Sequence, residues 1–193
     1  MQKCCIIYDQ EVRSIDLNEY ECTILDINKE DIISKLESLG AENKGEKLQR
    51  RYVYDYNPVD KNKWIRLRTN GKKTTLTLKE IKDKNAIGGT QELEIEVSDF
   101  DATNEILNRL GYKYRNYQEN KRHSFVLDGV SIEIDSWPLI PTYVEVEGSS
   151  ESEVLDTLKR LDIDETKVTT LDVESIYREI YGIDILKIEE LKF

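Results

Sequence analysis

Histidine is almost missing from this chain: His123 is the only one among 193 residues. A histidine-centred catalytic triad, or a zinc site built mainly on imidazole, has little to work with. The three cysteines, Cys4, Cys5 and Cys22, are an odd number crowded at one end, with neither disulfide nor zinc spacing. That usage fits a reducing cytoplasm. No apolar run approaches the ~18 residues needed to span a bilayer, and the segment from Met1 to Ile7 is too short and too weakly basic for a secretory signal. Long linkers and low-complexity stretches are also absent. With 28 Lys and Arg against 39 Asp and Glu, the net charge of −11 disfavours nucleic acid and anionic membranes as partners.

What is present is alternation. Strands are expected near Tyr20–Asp26, Gln49–Tyr56, Trp64–Thr69, Thr74–Ile81, Gln91–Ser98, Lys121–Leu127, Ser131–Ser136 and Tyr143–Glu147, where every second residue is apolar. Asn57-Pro58, Asn70-Gly71, Gly88-Gly89 and Asp128-Gly129 punctuate them, the last three as hairpin or turn signals. Helices are expected from Asn28 to Leu39, from Asp101 or Thr103 to Leu110, from Ser150 to Leu161 with Glu153 completing a capping box, and around Glu174–Tyr181. Glu21 through Arg51 and Glu94 through Arg122 share one order: acidic strand, helix ending in Leu-Gly, basic strand. Such a duplication closes naturally into a barrel. The expected fold is therefore α+β, an eight-stranded antiparallel β-barrel with flanking helices over residues 19–193. Residues 1–18 are expected to be an N-terminal appendage.

The signs of the alternating charges carry the functional expectation. Glu19 matches Glu21, Arg66 matches Arg68, Glu94 matches Glu96, Glu133 matches Asp135, and Glu145 matches Glu147. Any one pair is an ordinary solvated strand, but like charges gathered on one face repel unless something neutralises them. Carboxylate oxygens are ligands for hard divalent cations such as Mg²⁺ or Mn²⁺. Arg51, Arg66, Arg68, Lys79 and Arg122, on other strands, suit phosphate oxygens. An acidic wall and a basic wall with metal between them is the arrangement a polyphosphate needs. His123 and most of the tyrosines read as surface, rim or core, while Trp64 and Trp137 read as packing residues.

Glu19-Tyr20-Glu21, Trp64-Ile65-Arg66-Leu67-Arg68, Leu76-Thr77-Leu78-Lys79, Glu94-Ile95-Glu96, Ile132-Glu133-Ile134-Asp135 and Tyr143-Val144-Glu145-Val146-Glu147 together resemble the CYTH, or triphosphate tunnel metalloenzyme, superfamily. The resemblance implies a tunnel open at both ends that holds a triphosphate such as ATP. It implies Glu19, Glu21, Glu145 and Glu147 as metal ligands, with Glu133 and Asp135 beside them. Arg66, Arg68, Lys79 and Arg122 would hold phosphates with Arg51 and Lys121 contributing, and Glu94 and Glu96 would line the acidic side. Catalysis would fall to Glu19, Glu21, Lys79 and Arg122. The closing segment from Tyr177 to Gly182 looks like that of bacterial class IV adenylate cyclases, which favours cyclisation; triphosphate hydrolysis and non-catalytic binding stay open, as does a homodimer. Two positions depart from the pattern. Thr23 stands where the family's Glu-x-Glu-x-Lys motif has lysine, and Pro141 where many members have glycine.

Overall fold

The computed structural model describes residues 17–193, so Cys4, Cys5 and nearly all of the expected appendage lie outside it. The chain runs β1 (Asn18–Ile24), α1 (Lys29–Ser38), β2 (Glu42–Asp55), β3 (Lys63–Thr69), β4 (Thr74–Ile81), β5 (Thr90–Val97), α2 (Phe100–Arg109), β6 (Tyr114–Leu127), β7 (Val130–Ser136) and β8 (Tyr143–Gly148). After these come α3 (Glu151–Arg160), β9 (Val168–Thr169), α4 (Val173–Ser175) and β10 (Glu190–Leu191). A π-helical turn over Ile176–Ile180 continues α4 directly.

Strands β6, β2, β3, β4, β5, β1, β8 and β7 neighbour one another in that order, and β7 returns to β6, closing an antiparallel eight-stranded barrel. The same series of strand, helix, long strand and hairpin occurs twice, as β1 to β4 and again as β5 to β8. Its two long strands, β2 and β6, pair along almost their whole lengths. Closure leaves no continuous free edge, and every second side chain of each strand points inward.

Local chemistry places the helices. Asn28 caps α1 by accepting a hydrogen bond from the Asp31 N–H, Asp99 caps α2 from Ala102, and Ser150 caps α3 from Glu153. The second cap lies two residues before the expected Asp101, because Asp99 takes the β conformation that a cap requires. Gly40 and Gly111 follow the first two helices with φ of +79° and +94°, a region that glycine enters without steric cost.

The main apolar cluster is outside the barrel wall. Val144 and Val146 of β8, Cys22 and Ile24 of β1, and Ile132 and Ile134 of β7 pack against Ile32 and Leu36 of α1 and Val154 and Leu158 of α3. Helix α2 supplies Phe100 and Leu107 to a separate cluster with Tyr54 and Leu67. The C-terminal segment adds Ile176, Tyr177 and Ile185 around Trp137 and Tyr143. Helices thus take the apolar faces of β1, β7 and β8, and the charged residues are left to face one another inside, whereas Leu93 and Ile95 on the outer face of β5 stay exposed. No helix among the described residues is long and apolar enough to cross a membrane.

A charged tunnel as the candidate site

Parity along the strands decides which side chains enter the barrel. Glu19, Glu21 and Thr23 of β1, Arg51 of β2, Arg66 and Arg68 of β3, Lys79 of β4, Glu92 and Glu94 of β5, Gln118 and Arg122 of β6, and Glu145 and Glu147 of β8 line one cavity of about 810 Å³. Its mouth is flanked by Trp64, Lys63, Lys84 and Arg115 and by Leu171, Val173 and Leu186 of the C-terminal segment. Trp64 therefore faces the cavity, whereas Trp137 is packed away with 3% exposure.

One end of the acidic wall is a cluster. Glu19, Glu21 and Glu147 each offer one carboxylate oxygen, and the three oxygens lie within 4.8 Å of one another. Cross-strand pairing of Glu21 with Glu147 produces this approach. Burial raises the Glu19 carboxyl to about 8, against the pull of Lys79 and with help from Glu21 and Glu92. Glu21 is also raised, by its enclosure in the tunnel and then, against Lys79, by Glu145 and Glu147. Its side chain keeps 33% exposure to the cavity, so enclosure here means narrow walls and not a dry site. Glu147 is raised by burial and by Glu19. Three carboxylates that resist ionisation together form a hard, anionic oxygen donor set, and a Mg²⁺ or Mn²⁺ ion fits it.

Lys79 stands beside this cluster. Its ammonium donates to both oxygens of Glu19 at 2.8 and 2.7 Å, lies 2.8 Å from Glu92 and reaches Glu21 at 4.0 Å. Burial opposes the charge, yet Glu21 and Glu19 hold Lys79 above the ordinary lysine value. Glu92 passes the chain onward to Arg66 at 3.3 Å. Burial alone would raise Glu92, but Lys79 and Arg66 outweigh it and keep the carboxyl well below its usual range. Arg66 and Arg68 then share Glu94, at 3.6 and 3.7 Å.

On the basic wall the guanidiniums crowd one another. Arg68 is lowered to about 10 by burial and by Arg66 and Arg122. Arg51, 4% exposed, is lowered by burial and by Arg68 and Arg66. Its guanidinium donates to the Asn120 side-chain carbonyl and lies 4.5 Å from the centre of the Trp137 ring. Guanidiniums crowded in this way call for an anion as the carboxylates call for a cation.

Not every expected residue joins the cluster. Asp135 is fully buried and accepts from Arg122 Nε at 2.8 Å and from Asn120 at 2.9 Å, and Glu145 also accepts from Arg122. Glu133 accepts from Ser131 at 2.9 Å and lies 4.0 Å from Arg122. These three acids gather around a guanidinium, leaving Glu19, Glu21 and Glu147 as the carboxylates that meet each other. Lys121 corrects the sequence reading outright: being one residue from Arg122, it points outward, with its ammonium 4.6 Å from the Phe193 ring. Glu96 is a second correction, since it sits past the wall with its side chain 66% exposed and pairs with Lys73 at 3.8 Å. The interior partner on β5 is instead Glu92. It shares the period-two parity of Glu94 and was legible by extending that series two residues backward.

A closed antiparallel tunnel with carboxylates on one wall and guanidiniums on the other defines a triphosphate tunnel fold. The sequence matches the CYTH domain over residues 17–181, and the chain belongs to that family. Among solved structures, the PH1012 protein from Pyrococcus horikoshii OT3 is 29% identical, with a TM-score of 0.69, covering 80% of this chain and 96% of its own. A protein described as a "putative adenylate cyclase" from Vibrio parahaemolyticus shares the fold at 13% identity and a TM-score of 0.71, covering 86% of this chain and 99% of its own. A candidate adenylyl cyclase from Hippeastrum, described as having a dominant triphosphatase activity, does so at 15% identity and a TM-score of 0.55, covering 89% and 99%. No curated protein matches the sequence.

Proposed function

We propose that this chain is a divalent-metal-dependent enzyme acting on a nucleoside triphosphate, with the class IV-type adenylate cyclase reaction, ATP to cyclic AMP and pyrophosphate, as its first reading. The observation that carries the proposal is the meeting of a cluster of three carboxylates with a group of mutually crowded guanidiniums inside one cavity. A cavity of about 810 Å³ has room for more than a phosphate chain, and its mouth offers Trp64, Leu171 and Val173 as apolar surface for an organic group.

Glu19, Glu21 and Glu147 would hold the metal, whose contribution is to neutralise phosphate oxygens. Arg51, Arg66 and Arg68 would bind the chain of phosphates and fix its direction along the tunnel. Lys79, already seated between Glu19 and Glu92, would place a positive charge where the two walls meet. Arg122 is held by Asp135 and Glu145 and would act by positioning the wall around it. In cyclisation the substrate's 3′ hydroxyl gives up its proton to water as its oxygen bonds to the α-phosphorus, the bond from that phosphorus to the bridging oxygen breaks, and pyrophosphate leaves. The protein's task is alignment and charge stabilisation.

The second reading is a triphosphatase acting on thiamine triphosphate, tripolyphosphate or a nucleoside triphosphate. It uses the same walls with water as the nucleophile. A third, capture of a nucleotide or polyphosphate without turnover, is motivated by Thr23, which leaves β1 without the motif's cation. Incubation with ATP, thiamine triphosphate and tripolyphosphate plus Mg²⁺ or Mn²⁺, followed by separation of products, tells them apart. Cyclic AMP with pyrophosphate supports the first reading, phosphate release without cyclic AMP the second, and binding without any product the third.

Thr23 pairs across the strands with Glu145, whose charge Arg122 already offsets. Lys79 meanwhile supplies the ammonium beside Glu19. Thr23→Lys should therefore change kcat/KM by less than about threefold, or ~0.7 kcal/mol. A gain well beyond that would show that the missing cation limits the rate.

A further inference from the structure

Behind Arg68 the tunnel continues into a second cavity of about 80 Å³, lined by Gln49, Arg68, Asn70, Lys73, Thr75 and Glu94. Arg68 and Glu94 line both spaces, so this pair forms the partition between them. At ~30 Å³ for each water in the liquid, the rear space equals two or three waters. That suits one tetrahedral oxyanion and excludes a nucleoside.

Two independent features mark the space as a ligand site. Thr75 is 4% exposed, and its hydroxyl oxygen is buried with no hydrogen-bond partner. Neighbouring Thr77, on the same face of β4, donates to Glu94 at 2.9 Å, which shows what a satisfied hydroxyl does on this wall. An orphaned hydroxyl at a cavity wall is costly unless something in the cavity takes its hydrogen bond. The second feature is charge. The lining has two cations, Arg68 and Lys73, against one carboxylate, Glu94, which Arg68 approaches only to 3.7 Å. At the rim, the Asn70 side chain accepts the backbone N–H groups of Lys72 and Lys73 at 3.0 and 2.9 Å and fixes the turn. This leaves the Lys73 ammonium at the opening with 54% exposure, paired only loosely with Glu96 at 3.8 Å.

We propose that this rear cavity is an orthophosphate-binding subsite, formed by the Arg68 guanidinium, the Thr75 hydroxyl and the Gln49 amide, with Lys73 at its opening. Glu94, the one anion on its wall, is offset by Arg68. Because Arg68 also faces the main cavity, a phosphate held behind it draws on the same guanidinium that the triphosphate uses. Orthophosphate is then an inhibitor that binds without entering the substrate's place. That inhibitory role rests on the proposed triphosphate chemistry; phosphate binding itself does not.

The test is calorimetric titration of the metal-free protein with inorganic phosphate, and separately with a non-hydrolysable ATP analogue in the presence of Mg²⁺. The Thr75→Val/Lys73→Ala double variant should weaken phosphate binding on the order of tenfold, with analogue affinity within about twofold of wild type. Lys73→Ala alone, at an exposed turn position, should weaken phosphate binding in the same direction and serves if the double variant does not fold. Equal phosphate affinity in wild type and both variants would mean that phosphate binds in the main cavity, and no binding to wild type would equally end the proposal. A protein that binds phosphate as expected but processes none of the triphosphates tells against the proposed enzymatic function and leaves the rear site standing.

Discussion

Replacing Glu21 and Glu147 together by glutamine should abolish metal-dependent turnover, a loss of a thousandfold or more, corresponding to ~4 kcal/mol of transition-state stabilisation. Each substitution removes one of three carboxylates whose oxygens lie within 4.8 Å of one another, and Glu19 alone cannot hold a hard cation in competition with water. The same variant should fold normally. In the metal-free barrel, Glu19 is raised to about 8, and Glu21 and Glu147 are raised as well, so the folded chain binds these protons more tightly than the unfolded one. The stability this contributes is fully present below the ordinary glutamate value and is lost as pH rises toward about 8. Wild-type protein in chelator should therefore melt at a lower temperature at pH 8 than at pH 6, and Mg²⁺ should reverse the difference. The double glutamine variant should show a smaller pH slope and no metal response. Melting curves at both pH values, with Mn²⁺ binding followed by electron paramagnetic resonance, read all of this. Undiminished turnover, or full Mn²⁺ affinity in the variant, would place the metal elsewhere.

The barrel was legible because its strands alternate, and the alternation has a structural cause: helices cover the apolar half of β1, β7 and β8, leaving the charged half inside, while on β5 Leu93 and Ile95 stay exposed. Where alternation fades, legibility fades too. The first halves of β2 and β6, Glu42 to Leu48 and Tyr114 to Asn120, are polar on both faces, and sequence patterning started those strands seven residues late. They are strands because they pair with each other, a long-range fact that no local window contains. Inward and outward positions of the acids and bases were likewise set by parity. Arg122 and Lys121 are neighbours in sequence, yet one enters the tunnel and the other covers Phe193. What parity could not reveal was partnership. Glu133, Asp135, Glu145 and Glu147 follow one pattern along β7 and β8, but the first three meet Arg122 while Glu147 meets Glu19 and Glu21. The stagger of strands around a closed barrel decides which acids find a guanidinium and which find each other. The C-terminal lining, Thr170 to Ser175, alternates Asp172 and Glu174 but belongs to no long strand, and reaches the mouth through the pairing of β9 with β1.

That partnership makes Arg122 the residue whose loss should cost the fold most. Arg122→Ala should lower the unfolding free energy by about 3–5 kcal/mol, because it leaves Asp135, with no exposed surface, as an uncompensated charge, and strips Glu145 of its counter-ion. Burial opposes the charge on Arg122, yet Asp135 and Glu145 hold it well above the ordinary arginine value, so the guanidinium is not released at any pH the fold survives. The loss is mainly the penalty of the orphaned carboxylate and not the worth of the pair. Adding Asp135→Asn should therefore restore a large part of the stability, since asparagine can keep the 2.9 Å contact with the Asn120 side chain after an amide flip, without needing a cation. Urea unfolding of the two single variants and the double variant closes this cycle. An Arg122→Ala protein as stable as wild type would show that Asp135 is neutral inside the barrel, and that the cluster on this side is a hydrogen-bonded network. If the single variant is unstable and the double one is not, Arg122 belongs to the architecture of the tunnel, and loss of its activity must be measured in the double background before any of it is assigned to the substrate.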